Sequence, residues 1–396
     1  MNKVAFFSNY LNHHQLPFAK NMVELTNGDF KFISQKAISE KRISLGYKNI
    51  SNDYDFVVKT YEGETEDKKA YEIADNYDYV IFGGNSKIDK YVFNRIKNNK
   101  ITFEYSERLN KRKPSSFLWV KKYLNMLVYR TIYKRNKLYL LSTGMYAAGD
   151  FNEYNMYQNK SYKWGYFPEF IEYDIEKLLE EKEKSQISFL WAGRLIDWKH
   201  PDLVIKLAKK LKEEKYNFTI NIIGNGEMEN EIKLLIENEN LQNEVYMCGS
   251  MSPEKVREYM EESNIYLFTS DYQEGWGAVL NEAMNSGCAV VASHAAGSTG
   301  YLIKNEINGL IFESENFNSF YKQVKLLLDN KERCKELGKN AYNTIKNTWN
   351  SKVAAERFLK LAKCLENGNE TPYNDGPCSV ARPCKNKNAY KMMVNK

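Results

Sequence analysis

The chain has 396 residues, 43% hydrophobic and 27% charged, with a net charge of +6. This is the composition of a soluble globular protein, too long for one ordinary core, so two domains of about 150–200 residues each are expected. The charge is too small to demand a nucleic-acid partner, no RNP, zinc-finger or helix-turn-helix pattern is present, and no apolar run reaches the roughly 18 residues of a membrane span.

Residues 1–3 run straight into an apolar stretch, Val4-Ala5-Phe6-Phe7, with no leader-like segment. The six cysteines (Cys248, Cys288, Cys334, Cys364, Cys378, Cys384) lack zinc-like spacing. A cytoplasmic chain with reduced thiols is therefore expected. Tyrosine is common, 29 against 20 phenylalanines. Such rings suit sugar recognition, and equally follow from a codon bias that also enriches Asn, Lys and Ile.

Short apolar strands alternate with helical stretches throughout, the pattern of α/β units with parallel sheets. In the first half the spacing predicts strands at 4–8, 30–33, 80–82, 101–104 and 138–141. Residues 111–137 hold nine Lys or Arg (positions 111, 112, 113, 121, 122, 130, 134, 135 and 137), no acid, and interleaved aromatic and aliphatic residues. Two readings stand: a helix lying in the headgroup layer of an anionic membrane, or an amphipathic helix packed on the sheet with solvated lysines. A charged run at 176–184 reads as part of an interdomain connector spanning 169–186. The second half predicts strands at 188–192, 219–223, 245–247, 265–268 and 289–292. Amphipathic helices lie between them, one opened by Pro201 at its natural first position. The expected organisation is a first domain over 1–168 and a second over 187–349. A helix over 350–366 follows, packing back towards the first domain. The tail from 367 to 396, short of apolar residues, is expected to be disordered.

Three segments of the second half carry chemistry. In Ala192-Gly193-Arg194-Leu195-Ile196-Asp197-Trp198-Lys199-His200-Pro201 a strand ends in glycine, and two cations precede a helix. Arg194 offers a planar fork for phosphate oxygens and Lys199 a point charge. Both stand beyond a strand's carboxyl end, where open α/β sheets bind ligands. In Ile223-Gly224-Asn225-Gly226 a tight turn brings backbone close to a ligand or a helix, although the third glycine of a dinucleotide fingerprint is missing. The third segment is Ser270-Asp271-Tyr272-Gln273-Glu274-Gly275-Trp276-Gly277, running on to Glu282. It places Glu274 on a loop and Glu282 in the second turn of a helix starting near Gly277. N–H groups at such a helix start bind phosphate, and a carboxylate is the usual partner of a ribose diol. Acids that simply favour the helix dipole are the alternative.

The arrangement Glu-x-x-Gly-x-x-x-x-Glu with Gly-Arg-Leu-x-x-x-Lys upstream resembles glycosyltransferase family 4, the group 1 retaining enzymes, over residues 188–313. The resemblance implies a GT-B fold, two Rossmann-like domains facing each other across a cleft. It implies that Arg194 and Lys199 bind a donor diphosphate, that Glu274 holds the donor sugar, and that Glu282 binds the nucleotide ribose. Gly224, Gly275, Trp276 and Gly277 complete the expected nucleotide-sugar site. The implied reaction moves a sugar from a nucleoside diphosphate, uridine favoured, to a carbohydrate or lipid-linked acceptor, with no cofactor and no metal. Bacterial surface polysaccharide assembly, with the chain peripheral at the inner face of a membrane, is the implied setting.

The first half departs from the family, because no glycine-rich loop follows its first strand. Asn12, His13, His14 and Gln15 stand there instead and are the candidate substrate contacts. Arg108 is a further one, with Gly83-Gly84, Glu104, Ser106 and Glu107 ranked below. Asp53-Tyr54-Asp55 matches a metal-holding Asp-x-Asp too short to carry weight. A nicotinamide oxidoreductase lacks its G-x-G-x-x-G. A nucleotide-sugar epimerase of the same architecture, or a non-catalytic nucleotide-sugar binder, are the remaining rivals.

Overall fold

The protein is described here from a computed structural model covering residues 2–39, 49–83, 90–109, 111, 124, 133–183 and 186–395. It divides into two compact units. The first comprises Met1–Glu169 with Thr348–Lys385, the second Phe170–Asn347 with Asn386–Lys396. Most of the basic stretch 111–137 lies outside the described residues.

The first unit holds β1 (Val4–Ser8), β2 (Phe30–Ser34), β3 (Val57–Lys59), β4 (Tyr79–Gly83), β5 (Thr102–Ser106), β6 (Leu138–Thr143) and β7 (Ser161–Trp164). They form one parallel sheet in the order β3-β2-β1-β4-β5-β6-β7. The second unit holds β8 (Ile187–Ala192), β9 (Phe218–Ile223), β10 (Val245–Gly249), β11 (Ile265–Phe268), β12 (Ala289–Ser293) and β13 (Leu310–Phe312). These are also parallel, ordered β10-β9-β8-β11-β12-β13. Both orders reverse beside the first strand of the unit, the Rossmann arrangement.

Central strands are buried on both faces, which is why β1, β4 and β12 read as unbroken apolar runs rather than alternating ones. Helices cover them with one apolar stripe. In Pro201–Glu213, residues Leu203, Val204, Leu207, Ala208 and Leu211 are buried while the lysines face out. β3, β7 and β13 escaped the sequence reading. Two of them have only three residues, and β7, Ser-Tyr-Lys-Trp, is an edge strand of mixed polarity.

Two expectations are corrected. The charged run is not a free connector. Residues Ile175–Glu183 form a helix of the second unit in which Leu179 and Lys182 are buried. The Lys182 ammonium donates to the carbonyls of Met260, Ser263 and Ser286 at 2.7–2.8 Å. These carbonyls stand at the C-terminal ends of two helices, where a cation is favoured. Burial pulls its pKa below the usual lysine value.

The tail after residue 367 is likewise ordered. Lys163 N–H donates to Ser379 O, Cys378 N–H to Lys163 O and Ala381 N–H to Ser161 O, at 2.7–2.9 Å. These bonds cover the exposed edge of β7 with backbone, which needs few large apolar side chains. The small residues Cys378, Ala381 and Cys384 are buried in the process. The chain then ends in a helix, Asn386–Val394, that belongs to the second unit.

Candidate functional site

In the second unit the strand order reverses between β8 and β11. Ligands of such sheets bind beyond the carboxyl ends of the strands at that point. Two loops leave there, 193–200 after β8 and 269–278 after β11.

The first loop is held by backbone. Gly193 N–H donates to Ile223 O (2.9 Å) and Leu195 N–H to Asn225 O (2.8 Å). Gly224 has φ +135°, and a Cβ there would lie 1.8 Å from the Gly193 carbonyl oxygen. This glycine is therefore required by the close approach of the two turns. The chain next turns through Asp197–Lys199, and His200 enters the following helix with a left-handed φ of 51°.

The second loop is laced to the first. Thr269 Oγ1 donates to Lys199 O (2.6 Å), and Asp271 N–H donates to Trp198 O (2.9 Å). Across this seam Lys199 Nζ lies 2.5 Å from Glu274 Oε2, with both side chains only 12–13% exposed. Ser270 Oγ donates to the same carboxylate oxygen at 3.3 Å. Arg194 is exposed, its guanidinium 5.7 Å from the centre of the Trp198 ring, and the Lys199 ammonium is 5.1 Å from that centre. Two cations and one carboxylate thus converge on the end of β8. An ion pair so enclosed is screened little by salt.

Glu282 sits in the helix Val279–Asn285. Burial pushes its carboxyl above the ordinary value, against the pull of the Arg257 cation. Arg257 itself donates to the Glu282 main-chain carbonyl and to Asn285 Oδ1, both at 3.0 Å. Glu274 and Glu282 both act electrostatically on the Tyr266 hydroxyl, which donates to Ala192 O at the end of β8. Burial raises that phenol furthest.

Between the two acids, Gly277 has φ +89°, and a Cβ would meet the Phe268 ring at 2.4 Å. Gly275 is buried. Trp276 is corrected as a ligand contact through its side chain. The indole is fully buried and donates to Asn281 Oδ1 at 2.8 Å.

Sequence reasoning gave no role to His200 or Asp271. His200 Nε2 lies 3.7 Å from Asp271 Oδ2, and that carboxylate holds the imidazole above its ordinary pKa. Glu315 brings a third ligand-type atom within 4.8 Å of the other two.

In the first unit the candidates divide. Asn12 Oδ1 accepts from the N–H groups of His14 (3.0 Å) and Gln15 (3.1 Å), and its amide donates to Gln15 Oε1. Gln15 is buried and donates to Ser8 Oγ at 3.2 Å. Both side chains are committed to building the turn after β1. His13 and His14 are half-buried with ring centres 3.8 Å apart, and the His14 ring lies 6.0 Å from that of Tyr166. The Tyr166 hydroxyl donates to Glu107 at 2.8 Å. Arg108 is corrected outright. It is 5% exposed, ion-paired with Asp150 at 3.3 Å and stacked over Tyr146 at 4.9 Å, so it serves the core. Glu104 lies within β5, hydrogen-bonded by the Tyr157 hydroxyl, and burial raises its carboxyl to about 7. Gly83 closes β4 against β5, where a Cβ would lie 2.5 Å from Tyr105. Gly84 lies outside the described residues.

Two parallel-sheet α/β units, the second with cations and a carboxylate gathered at its switch point, define a GT-B fold. The fold is shared with the crystal structure of Anabaena HepE in complex with UDP, at a TM-score of 0.66 and 14% identity over 92% of this chain and all of that one.

Residues 173–344 match the family model of group 1 glycosyl transferases. The chain is 31% identical over 196 residues to an uncharacterised glycosyltransferase of Methanocaldococcus jannaschii, covering 48% of this chain and 49% of that one. It is 28% identical over 186 residues to a Campylobacter jejuni 4-alpha-N-acetylgalactosaminyltransferase acting on N-acetylgalactosamine-N,N'-diacetylbacillosaminyl-diphospho-undecaprenol, covering 47% and 49%. The aligned region spans about half the length of these curated relatives.

Proposed function

We propose that this chain is a retaining glycosyltransferase that moves a sugar from a nucleoside-diphosphate sugar, with uridine diphosphate the favoured carrier, to an acceptor hydroxyl. The observation that carries the reading is the Lys199–Glu274 pair beside the exposed Arg194, at the carboxyl ends of β8 and β11. The UDP held by a protein of the same fold and the lipid-linked acceptor of the Campylobacter relative support the carrier and the acceptor class.

Negative charge builds on the leaving diphosphate while the sugar approaches an oxocarbenium ion. Arg194 and Lys199 stabilise the first, which is the main electrostatic requirement of the step. An incoming diphosphate competes with Glu274 for the Lys199 ammonium. That exchange turns the Glu274 carboxylate towards the sugar, beside the developing cation. Glu282 holds the ribose. His13 and His14 contact donor or acceptor. No side chain acts as a covalent nucleophile, and the diphosphate accepts the acceptor's proton. Protein cations do the work of a metal, so transfer survives a chelator. Surface polysaccharide assembly on a lipid-linked acceptor, at the inner face of a bacterial membrane, is the setting.

The test is a thermal-shift screen of nucleotide sugars, followed by product analysis at the anomeric carbon. A bound donor raises stability with the logarithm of its concentration over its Kd. The reading expects a shift with a uridine-diphosphate sugar and retention of configuration in the product. Inversion removes the retaining mechanism. Donor conversion without any acceptor makes the chain an epimerase instead. Activity lost in EDTA and restored by Mn²⁺ removes the metal-free mechanism.

A further inference from the structure

Between Asp271 and Glu274 the second loop carries Tyr272, whose hydroxyl lies 2.7 Å from His294 Nε2. The other imidazole nitrogen, Nδ1, accepts the N–H of Ser314 at 2.9 Å. A backbone N–H can only donate, so Nδ1 carries a lone pair, and a neutral imidazole then bears its proton on Nε2. Nε2 therefore donates to the Tyr272 oxygen. The Tyr272 proton is left to point onward, towards the Asn386 carbonyl 3.5 Å away. The chain of donors thus runs one way, from the end of β13 through His294 and Tyr272 to the first residue of the last helix. Bonds aligned in this sense strengthen one another.

That last helix is seated where the chain of donors ends. The Tyr390 ring centre lies 5.4 Å from the His294 ring, and the Tyr390 and Ser319 hydroxyls are 3.4 Å apart. Ala389 and Met393 are buried, and His294 is 5% exposed. Burial also holds its imidazole below the ordinary pKa, so the neutral form is the one in place.

We propose that Tyr272 and His294 are positioning residues of the donor site, and that the helix Asn386–Val394 is the support on which they rest. Tyr272 stands two residues before Glu274 and fixes the loop that presents that carboxylate to Lys199. The loop is fixed from the other side by Gly297 N–H donating to Glu274 O at 3.2 Å and Ser298 N–H to Trp276 O at 3.3 Å. The inference rests on the reading of Glu274 as the group beside the donor sugar.

Four variants test it. Tyr272→Phe removes one hydroxyl. His294→Asn keeps an acceptor near the Nδ1 position and loses the reach to Tyr272, whereas His294→Gln reaches Tyr272 from near the Nε2 position. Ala389→Glu displaces the helix. Loss of one such bond corresponds to about tenfold. Tyr272→Phe, His294→Asn and Ala389→Glu should therefore lower kcat about tenfold and leave UDP affinity within about twofold, while His294→Gln restores most of the rate. Amide hydrogen exchange supplies a readout that needs no turnover. In Tyr272→Phe, segments 271–277 and 386–394 should both exchange about tenfold faster. Unchanged exchange in either segment overturns the inference, as does wild-type kcat in Tyr272→Phe or an equal loss of UDP affinity in all four variants. Wild-type protein inert towards every donor, with the exchange result intact, instead overturns the glycosyltransferase reading and leaves the loop's support standing.

Discussion

At the carboxyl side of the first sheet, Arg108 is sealed against Asp150 and Tyr146, Glu104 is half-buried and bonded by the Tyr157 hydroxyl, and Gln15 is tied back to Ser8. At the carboxyl side of the second sheet, Arg194 is exposed and Lys199 and Glu274 meet at the mouth of two laced loops. The two sheets share one strand order, so topology alone does not make the site. What separates them is where their charges end up. The first unit spends its charged groups on holding its own loops, and the second keeps a cation–carboxylate set that a ligand can take over.

If that contrast is right, Arg108→Ala should be costly and functionally silent. Removing one partner of a buried pair leaves Asp150 unpaired and costs about 3–5 kcal/mol of stability. Chemical denaturation should show this loss while calorimetry shows UDP affinity unchanged. A drop in UDP affinity with stability intact would move Arg108 back into the site.

Glu104 tests the same unit through pH. Its carboxyl is raised to about 7 in the folded state by burial, from an ordinary 4.5. The folded state therefore binds the extra proton between these values, and stability is present below 4.5 and lost as pH rises through 7. The difference corresponds to roughly 3 kcal/mol. Denaturation across pH 4–8 should show wild type losing stability through that window relative to Glu104→Gln. Parallel pH profiles for the two proteins would mean that Glu104 is not held protonated.

In the second unit the two acids should separate by role. Glu274→Gln removes a full charge beside the developing cation, so kcat should fall on the order of 10²-fold. Nucleoside diphosphate affinity should stay normal or rise, since Lys199 is released. Glu282→Gln should act more weakly, raising donor KM about tenfold with kcat largely kept, because ribose is bound alike before and during reaction. Steady-state kinetics that give the reverse pattern would exchange the two assignments.

Much of the second unit was legible in the sequence, for a physical reason. Loops beyond buried parallel strands need glycine where backbones touch, as at Gly224 and Gly277, and the charges of Arg194, Lys199 and Glu274 stand in the same loops. Both leave marks at fixed offsets from an apolar run. The structure adds what spacing does not carry: that Lys199 and Glu274 face each other, that the Trp276 ring is core, and that Asp271 and His200 pair across the seam. In the first unit, Arg108 and Gln15 read as ligand contacts because burial of a polar side chain depends on distant partners. The tail from residue 367 read as disordered because its order rests on backbone bonds to β7 and on small buried residues, neither of which shows in composition.

The central claim is that the second unit carries a site for a nucleoside diphosphate built on Arg194 and Lys199. Calorimetric titration of UDP into the wild-type protein, Arg194→Ala and Lys199→Ala tests it most directly. Each lost charge-assisted contact is worth about 1.5–3 kcal/mol, so each variant should bind UDP roughly 10- to 100-fold more weakly than wild type. UDP affinity equal to wild type in both variants, or no UDP binding by the wild type itself, would contradict the account.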